Sequence, residues 1–556
     1  WNMRPRRYLF LFLLVPFCTI SESQDLSSLK DKDKFDINGQ LGASLVFYNV
    51  EGRESNRPAF SWMLVGNPVI TVYGITFPFS FTVSEQERSF QQPFNRFGVS
   101  PTYKWAKLHL GYRNVSFSKY TLGGHTILGG GGEFTPGKFR IGVMYGQLLR
   151  PVPFNSSILP VQTQQLPAYR RNGMAFRFGY GTATNSADII VFRASDVSGS
   201  IADTSQLLLP GSNTVISFIT HHKLLKSFVF DLELANSIYT EDNRLDGEPG
   251  MKLLPVISEL IGTNVSTSSS NAVDASFGYD SKVFDLKLRM RQIDPGFRSM
   301  GTYFMQNNIR NITIEPAVTL SGDKYIISGS LGFQRDNLKE TLVHQTNRTI
   351  GSVRVAANPV KWYRADINYS NYDIDQKAGI NPLDPLSTIN QISQTTSSIN
   401  LVQNLSFAGK TLSQNVMVTL NNQLMTDHVN ETGNSYRTFV AMGSYVVGYM
   451  PLRINLSLNY SYSTFDIPSA VNTFHGPSAS LSSSLLKGRL NLAVAGSRLS
   501  NILDNNLSGH ITSGSFSTTF RITKMHMVRA RFYVNNSTGT NSFTETKGEL
   551  GYGFIF

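Results

Sequence analysis

The residues Glu549-Leu550-Gly551-Tyr552-Gly553-Phe554-Ile555-Phe556 alternate small or polar side chains with large apolar ones, and they bring the chain to its last residue on an aromatic ring. Alternation with a period of two is typical of a β-strand that has two different faces. A strand of this kind at the C-terminus is typical of a closed barrel, in which the last strand pairs with the first and leaves no free edge. We therefore expect Tyr552, Phe554 and Phe556 to act as an assembly signal on a closing strand.

The same period recurs along the chain. Its clearest occurrence is Leu452–Tyr462, where the even positions are apolar or aromatic and the odd positions are polar. Further examples are Phe228–Leu234, Phe284–Arg291, Leu490–Val494 and Val528–Phe532. Strands of about ten residues suit the thickness of a bilayer, and their polar face suits an aqueous lumen. These segments therefore predict membrane-spanning strands.

The connections between these strands alternate between short and long. Short turns are predicted at Tyr73-Gly74, Trp105–Lys107, Thr135–Lys138, Thr182–Ser186, His221–Lys226, Asp280–Val283, Ser321–Lys324, Asn358–Lys361, Ala408–Lys410, Met450-Pro451, Lys487-Gly488 and Lys524-Met525, and longer loops at Arg150–Ala168, Asp196–Ser212, Ile238–Ser270 and Asn371–Gln394. Short periplasmic turns and long outer loops are the usual asymmetry of transmembrane barrels. The predicted fold class is all-β, a transmembrane antiparallel β-barrel of about 26 strands, within a range of roughly 22 to 26, with both termini periplasmic.

The N-terminal region predicts export. Met3 is the expected start, and it is followed by three arginines within four residues, an apolar run from Tyr8 to Phe17, and small residues at Ser21 and Ser23. This order is typical of a secretory signal peptide. We expect residues 1–23 to be a cleaved signal, 24–35 a short periplasmic segment without a plug domain, and 36–556 the barrel in the bacterial outer membrane.

Three local motifs suggest sites but have simpler explanations. Ala408-Gly409-Lys410-Thr411 resembles the end of a phosphate-binding loop, but it lies between two alternating segments and lacks the first glycine of that motif. Gly129–Gly132 is better explained by close packing of a strand, and His221-His222 by a solvated turn. The single cysteine, Cys18, lies in the signal. We therefore predict no enzyme activity, no cofactor and no metal site.

Basic side chains are expected to face the lumen. With apolar residues facing lipid, the inward basic set is Arg140, Arg177, Lys287, Arg289, Arg291, Arg354, Arg364, Arg453, Arg529 and Arg531, and the inward acidic set includes Asp231, Glu233, Asp274, Asp285, Glu315 and Asp366. The formal net charge of the chain is +12. One interpretation is that these charges pair across strands and only solvate the wall. The other is a positive field that favours anionic solutes.

Part of the chain resembles a known family. The stretches Pro93–Lys107 (PFNRFGVSPTYKWAK), Leu110–Asn114 (LGYRN), Gly123–Thr126 (GGHT) and Pro136–Arg140 (PGKFR) resemble a Bacteroidetes-type family of large outer-membrane β-barrels of unassigned function. The resemblance is close over roughly residues 60 to 150 and looser elsewhere. It implies a barrel fold and an outer-membrane location, and it leaves the function open.

Two function classes follow. The first is a porin-like passive channel with a basic lumen, gated by long extracellular loops. The second is a non-transport barrel that serves as a subunit or scaffold of an envelope assembly for protein secretion, glycan export or outer-membrane biogenesis. The expected partners are outer-membrane lipid and the barrel-assembly machinery, with other envelope proteins or surface lipoproteins as further candidates, and no nucleic acid.

Overall fold

The computed structural model describes residues 35–55, 57–73, 75–84, 96–153, 167–201, 208–248, 250, 261–340, 342, 345–377, 392–429, 434–539 and 542–556. The predicted signal peptide with Cys18, and residues 24–34 of the predicted periplasmic segment, lie outside these residues. So do parts of the predicted long loops and residues 85–95 of the stretch that carries the family resemblance. No helix within the described ranges is long and apolar enough to span a bilayer.

All β-segments of the described chain belong to one antiparallel sheet. Its segments are β1 Phe35–Asn38, β2 Gln40–Glu51, β3 Phe60–Gly66, β4 Val69–Val72, β5 Ile75–Ser84, β6 Arg96–Val99, β7 Thr102–Tyr103, β8 Ala106–Ser116, β9 Gly123–Phe134, β10 Phe139–Leu149, β11 Arg170–Gly181, β12 Asn185–Val197, β13 Ser212–Leu224, β14 Phe228–Thr240, β15 Thr267–Asp280, β16 Phe284–Ile293, β17 Ile309–Leu320, β18 Tyr325–Asp336, β19 Gln345–Val360, β20 Tyr363–Lys377, β21 Ile392–Ala408, β22 Leu412–Asp427, β23 Tyr436–Tyr449, β24 Ile454–Ile467, β25 Ala470–Leu485, β26 Leu490–Leu503, β27 Asn506–Arg521, β28 His526–Ser537 and β29 Phe543–Ile555.

Three of the strands are interrupted by one or two residues. Gly39 separates β1 from β2, Asn67-Pro68 separates β3 from β4, and Ser100-Pro101 separates β6 from β7. Gly39 has a φ of 141°, which favours glycine, and proline cannot donate a ladder hydrogen bond, so the pairing breaks at these points. The 29 segments of the described chain therefore make 26 strands, which confirms the predicted fold class.

The first and last strands close the barrel. β2 pairs antiparallel with β29 from Gln40 opposite Ile555 to Glu51 opposite Thr544. Beyond this ladder, the Gly39 N–H donates to the Phe556 carbonyl at 2.8 Å and the Phe556 N–H donates to the Gly39 carbonyl at 3.1 Å. Because every strand has a neighbour on both sides, the sheet has no free edge to aggregate through.

Short turns join the strands at the end that holds both barrel termini, as the sequence predicted. Several predicted boundaries are wrong, including those of the turns Thr182–Ser186 and Asn358–Lys361, parts of which belong to β12 and β19. The strand predicted to begin at Leu452 begins at Ile454, and His221-His222 lie within β13, which runs to Leu224 before its turn. The predicted loops are also shorter in places, because residues 371–377 belong to β20 and 392–394 to β21. Backbone pairing with the neighbouring strands extends these ladders beyond the point where the sequence alternation fades, although Asn371, Asp373 and Asp375 have a low strand propensity.

The outer face of the barrel is apolar. On β10 the side chains of Val143 and Tyr145 are exposed while Met144 between them is fully buried, and on β16 Leu288 and Met290 are exposed. Trp105 and Trp362 are about half exposed at short turns. A closed sheet with an apolar outside and aromatic residues at its rim is the architecture of a transmembrane β-barrel.

The strands differ in length around the barrel. Those from β8 to β14 have 11 to 13 residues, whereas those from β19 to β22 have 15 to 17. At about 3.4 Å per residue, the longer strands add roughly 10 to 15 Å to one side of the wall. The lumen is therefore bounded by a short wall and a tall wall.

Candidate functional site

The lumen is the candidate site, and part of it is filled by the chain itself. Met144, Ile190, Phe192 and Val215 face inward, opposite to the exposed residues beside them, and each is fully buried. Apolar residues at such positions need a covering layer, since water would otherwise reach them. The cover comes from two connections on the long-loop side, residues 117–122 between β8 and β9 and residues 294–308 between β16 and β17. We call these two segments, with the wall residues they cover, the luminal core.

The two covering segments interlock. The rings of Tyr120 and Phe297 meet edge to face with centroids 5.7 Å apart, and both side chains are almost fully buried. The Gly123 N–H donates to the Gly301 carbonyl at 3.0 Å. The Ser299 hydroxyl donates to the Thr121 carbonyl at 2.5 Å. Apolar burial and backbone hydrogen bonds therefore hold the segments to each other.

Polar side chains of the wall fix the segment 294–308 in place. The Met300 N–H donates to the Asn213 side-chain oxygen at 3.1 Å, the Ser237 hydroxyl donates to the Arg298 carbonyl at 2.6 Å, and the Ser270 hydroxyl donates to the Pro295 carbonyl at 2.9 Å. Unpaired backbone groups at this depth would be costly, and these bonds satisfy them. The segment is thus bound to β13, β14 and β15 along one wall.

An ion cluster anchors the segment 117–122. Lys119 forms an ion pair with Asp274 and lies 3.9 Å from Glu233. Arg289 also pairs with Asp274, with an N–O distance of 2.6 Å. The Asp274 side chain is only 7% exposed, so it depends on these two cations for its compensation. Arg289 therefore serves the packing of the luminal core.

The other predicted lumen residues on the strands fall into two groups. The first group forms ion pairs with carboxylates, and for the second group the strand register gives the facing residue. Arg140 and Arg177 share Asp188, at 2.9 and 3.2 Å, Arg354 pairs with Asp366 at 2.6 Å, and Arg531 lies 3.8 Å from Glu549. The structure places Lys287 opposite Glu315, Arg291 opposite Asp274, Arg364 opposite Asn404, and Arg529 opposite Thr519 and Gly551 in the strand register. In the described part of the chain, neither Arg364 nor Arg529 has a carboxylate within ion-pair distance.

Arg453 does not lie on a strand. It has a φ of 51° and lies in the turn before β24, where its N–H donates to the Met450 carbonyl at 3.2 Å. The expectation of an inward strand position for Arg453 is therefore corrected to a position in a turn. Leu452 and Arg453, which alternation alone assigned to the strand, belong to the tight turn between β23 and β24.

The predicted assembly residues form an aromatic cluster at the barrel closure. The Tyr552 hydroxyl lies 2.6 Å from Nδ1 of His526 on the neighbouring strand, and the rings of Phe554 and His526 are 4.9 Å apart. The Phe554 and Phe556 rings are 5.1 Å apart. Tyr552 is exposed on the outer face, so the cluster borders the lipid at the short-turn end.

A capping loop lies at the other end, between β14 and β15. The Asn264 side chain donates to the carbonyls of Asp242 and Leu245 at 2.7 and 2.9 Å. The Arg244 guanidinium donates to the Asp242 carboxylate at 2.8 Å and holds the pKa of Asp242 below its usual value. Within the described residues, no group of three or more His, Cys, Asp or Glu side chains could hold a metal ion.

Sequence reasoning missed the luminal core. The signal for it is on β12, where Ile189, Ile190, Val191 and Phe192 are apolar on both faces. A strand that is apolar on both faces is typical of burial on both faces. Phe297 and Met300, apolar residues in a connection, are the matching signal on the covering side.

Comparisons with known proteins identify no family for this chain. No family model matches the chain, and no curated protein matches it. Among solved structures, the chain is similar to the copper transporter OprC, with a TM-score of 0.41 and 9% identity over 94% of this chain and 81% of that one. It is similar to the P pilus usher (PapC) translocation pore, with a TM-score of 0.33 and 11% identity over 93% and 98%. It is also similar to OccAB3 of Acinetobacter baumannii, with a TM-score of 0.31 and 12% identity over 69% and 99%.

The chain is an outer-membrane β-barrel. This conclusion rests on the closed antiparallel sheet and its apolar outer face. At these identities and TM-scores, the similar structures support no argument about what the protein transports or binds.

Proposed function

We propose that the protein is a porin-like passive channel, narrowed and gated by its own long loops, with basic luminal side chains that favour anions. The observation that carries the proposal is the one-sided filling of the lumen. The buried apolar residues of the luminal core all lie between Val115 and Ile309. Inward side chains on the opposite wall, such as Ser457 and Ser480, remain partly exposed.

The size of the barrel supports a need for such filling. Barrels of 16 to 18 strands already leave an aqueous channel, and the diameter grows roughly in proportion to the strand number. A lumen enclosed by 26 strands would be wide enough to leak cell contents if it were empty. The described segments that occupy one side reduce the free cross-section, and no described segment covers the other side.

The charge pattern supports a modest preference for anions. Arg289 and Arg354 pair with carboxylates, and Arg140 and Arg177 share the single carboxylate of Asp188, so these four arginines contribute less positive field than their number suggests. Arg364 and Arg529 form no ion pair among the described residues. They lie on β20 and β28, next to the uncovered wall, where a positive side chain acts directly on passing ions.

The test is conductance of the purified protein in a planar bilayer. We expect stepwise conductance, and a reversal potential across a salt gradient that indicates anion preference. Replacing Arg364→Gln and Arg529→Gln together should move the reversal potential toward that of a neutral pore, because both positive charges are removed. Arg310→Gln is the matched control, since Arg310 has the same parity on β17 as the exposed, outward Ile312.

The outcomes separate the two function classes. Conductance with an unchanged reversal potential in the double variant would overturn the role of the two arginines. Folded protein that never conducts would overturn the channel proposal and favour a scaffold of an envelope assembly.

A folding control is Leu288→Arg, which places a charge on the lipid face and should cost about 2 to 4 kcal/mol if Leu288 lies near the midplane.

A further inference from the structure

The wall of the lumen that no described segment covers, which we call the uncovered wall, differs in chemistry from the covered one. On β24 the outward positions Leu458 and Tyr460 are exposed, and the alternating inward positions are Asn455, Ser457, Asn459 and Ser461. The neighbouring strands continue this chemistry. One register row across six strands reads Asn415, Val446, Ser457, Ser480, Ala495 and Ser515. No member of that row is charged.

The absence of charge holds over the seven strands from β21 to β27. Their charged residues are Asp427, Arg437, Asp466, Arg498 and Arg521. Asp427 and Arg521 are the last residues of β22 and β27. In the strand register, Arg437, Asp466 and Arg498 have the parity of the outer face. Arg437, for example, lies opposite Leu424, whose side chain is exposed on that face. We call the inward face of β21–β27, without the terminal residues Asp427 and Arg521, the neutral wall.

The covered side shows that charge is tolerated in this lumen. Its inward rows contain Asp231, Glu233, Asp274, Arg289 and Arg291, and charged residues make up 16% of the whole chain. Luminal positions of a barrel accept charged residues at little cost. Folding therefore does not require seven neighbouring strands to lack charged residues on their inward face. With strands about 4.8 Å apart, the neutral wall covers an arc of roughly 30 Å.

The neutral wall offers hydroxyl and amide groups that both donate and accept hydrogen bonds. Some of these groups bond to one another, such as Asn459 Nδ2 to Ser478 Oγ at 3.3 Å and Asn404 Nδ2 to Asn415 Oδ1 at 3.2 Å. Such groups can exchange partners with a polyhydroxylated solute in the way that water does. Because these groups are uncharged, they attract no layer of counterions, and an uncharged solute has no such layer to displace along this path.

We propose that the neutral wall is the passage for uncharged saccharides, whereas small anions are influenced by the arginines at its two margins. The proposal rests on the passive-channel function and adds to it a solute class and a route. The row through Ser457 and Ser480 marks the part of the wall that such a solute would follow. Arg364 on β20 and Arg529 on β28 lie just outside the neutral wall on either side.

The test measures saccharide entry into proteoliposomes that contain the full chain, by osmotic swelling with arabinose and with the trisaccharide raffinose. In the double variant Ser457→Trp and Ser480→Trp, two indoles project from the neutral wall. Raffinose entry should fall by about threefold or more, and arabinose entry should fall less, because the path becomes narrower. Leu481→Trp is the matched control, since Leu481 is next to Ser480 and is half exposed on the lipid face.

The results distinguish this inference from the function on which it rests. If the protein conducts salt but excludes raffinose, or if the double Trp variant admits raffinose at the unaltered rate, the route along the neutral wall is wrong while the channel stands. If neither salt nor sugar passes through folded protein, the channel itself is wrong. The double variant of Arg364→Gln and Arg529→Gln completes the test, because it should shift the reversal potential for salt and leave raffinose entry unchanged.

Discussion

Gly131 on β9 lies where a side chain has no room. A Cβ atom at this position would lie 2.1 Å from the Val143 carbonyl oxygen and 2.3 Å from the sulfur of Met144. We expect Gly131→Ala to destabilise the folded barrel by about 1 to 3 kcal/mol, because the paired strand would have to move away. Thermal unfolding in detergent, followed by the loss of heat-modifiable mobility, measures this change.

Gly443 on β23 provides the control for that substitution. A Cβ atom there would have no atom within 4 Å, so Gly443→Ala should change the stability by less than about 0.5 kcal/mol. Equal losses in the two variants would show that the glycine run of β9 is not closely packed.

At the level of residues, alternation in the sequence predicts the face of the sheet on which a side chain lies, but it does not predict the partners of that side chain. Alternation alone gave the strand parity of Arg289 and Asp274, and in the ladder Arg289 lies opposite Ser276 and Asp274 opposite Arg291. It could not show that Lys119, 155 residues earlier than Asp274, completes their cluster. Arg453 failed for a local reason, since a turn with positive φ replaced the first residues of its strand.

At the level of elements, the closing strand makes a prediction about assembly. Phe556 exchanges two backbone hydrogen bonds with Gly39 and packs its ring near Phe554. Deletion of Phe556 should therefore lower the folded, heat-modifiable fraction in the outer membrane, because the last pair of the closing ladder is lost. Ile522→Ala, an exposed turn residue at the same end of the barrel, should leave that fraction unchanged. A folded fraction that survives the deletion would exclude Phe556 as part of the assembly signal.

The strands themselves were predictable because their period has a single physical cause. One face meets lipid and the other meets water, so Phe284–Arg291 and Val528–Phe532 alternate visibly. β12 breaks this rule, because its inward Ile190 and Phe192 face the luminal core and not water. Apolar residues on both faces do not reveal what covers them, so the position of segment 294–308 could not be read from the sequence.

For the whole molecule, the arrangement of turns predicts which peptide bonds a protease can reach on intact cells. The connection of residues 241–266 lies at the long-loop end, whereas Thr135–Lys138 lies in a short turn at the opposite end. External protease should cut within 241–266 or within 378–391 and spare 135–138, and mass spectrometry of the fragments identifies the sites. Cleavage at 135–138 in intact cells would reverse the orientation of the barrel.

The pairing of β2 with β29 also sets the order of events during biosynthesis. Gln40 meets Ile555, so the contact joins positions about 500 residues apart, and contacts this distant in sequence form late in folding. At about 5 to 20 residues per second, synthesis alone keeps the first strand waiting for its partner for roughly half a minute to two minutes. Throughout that interval the chain has an apolar face and an unpaired edge, which makes it prone to aggregation. From the geometry of closure we therefore expect that a holding factor accompanies the chain until its last strand has arrived.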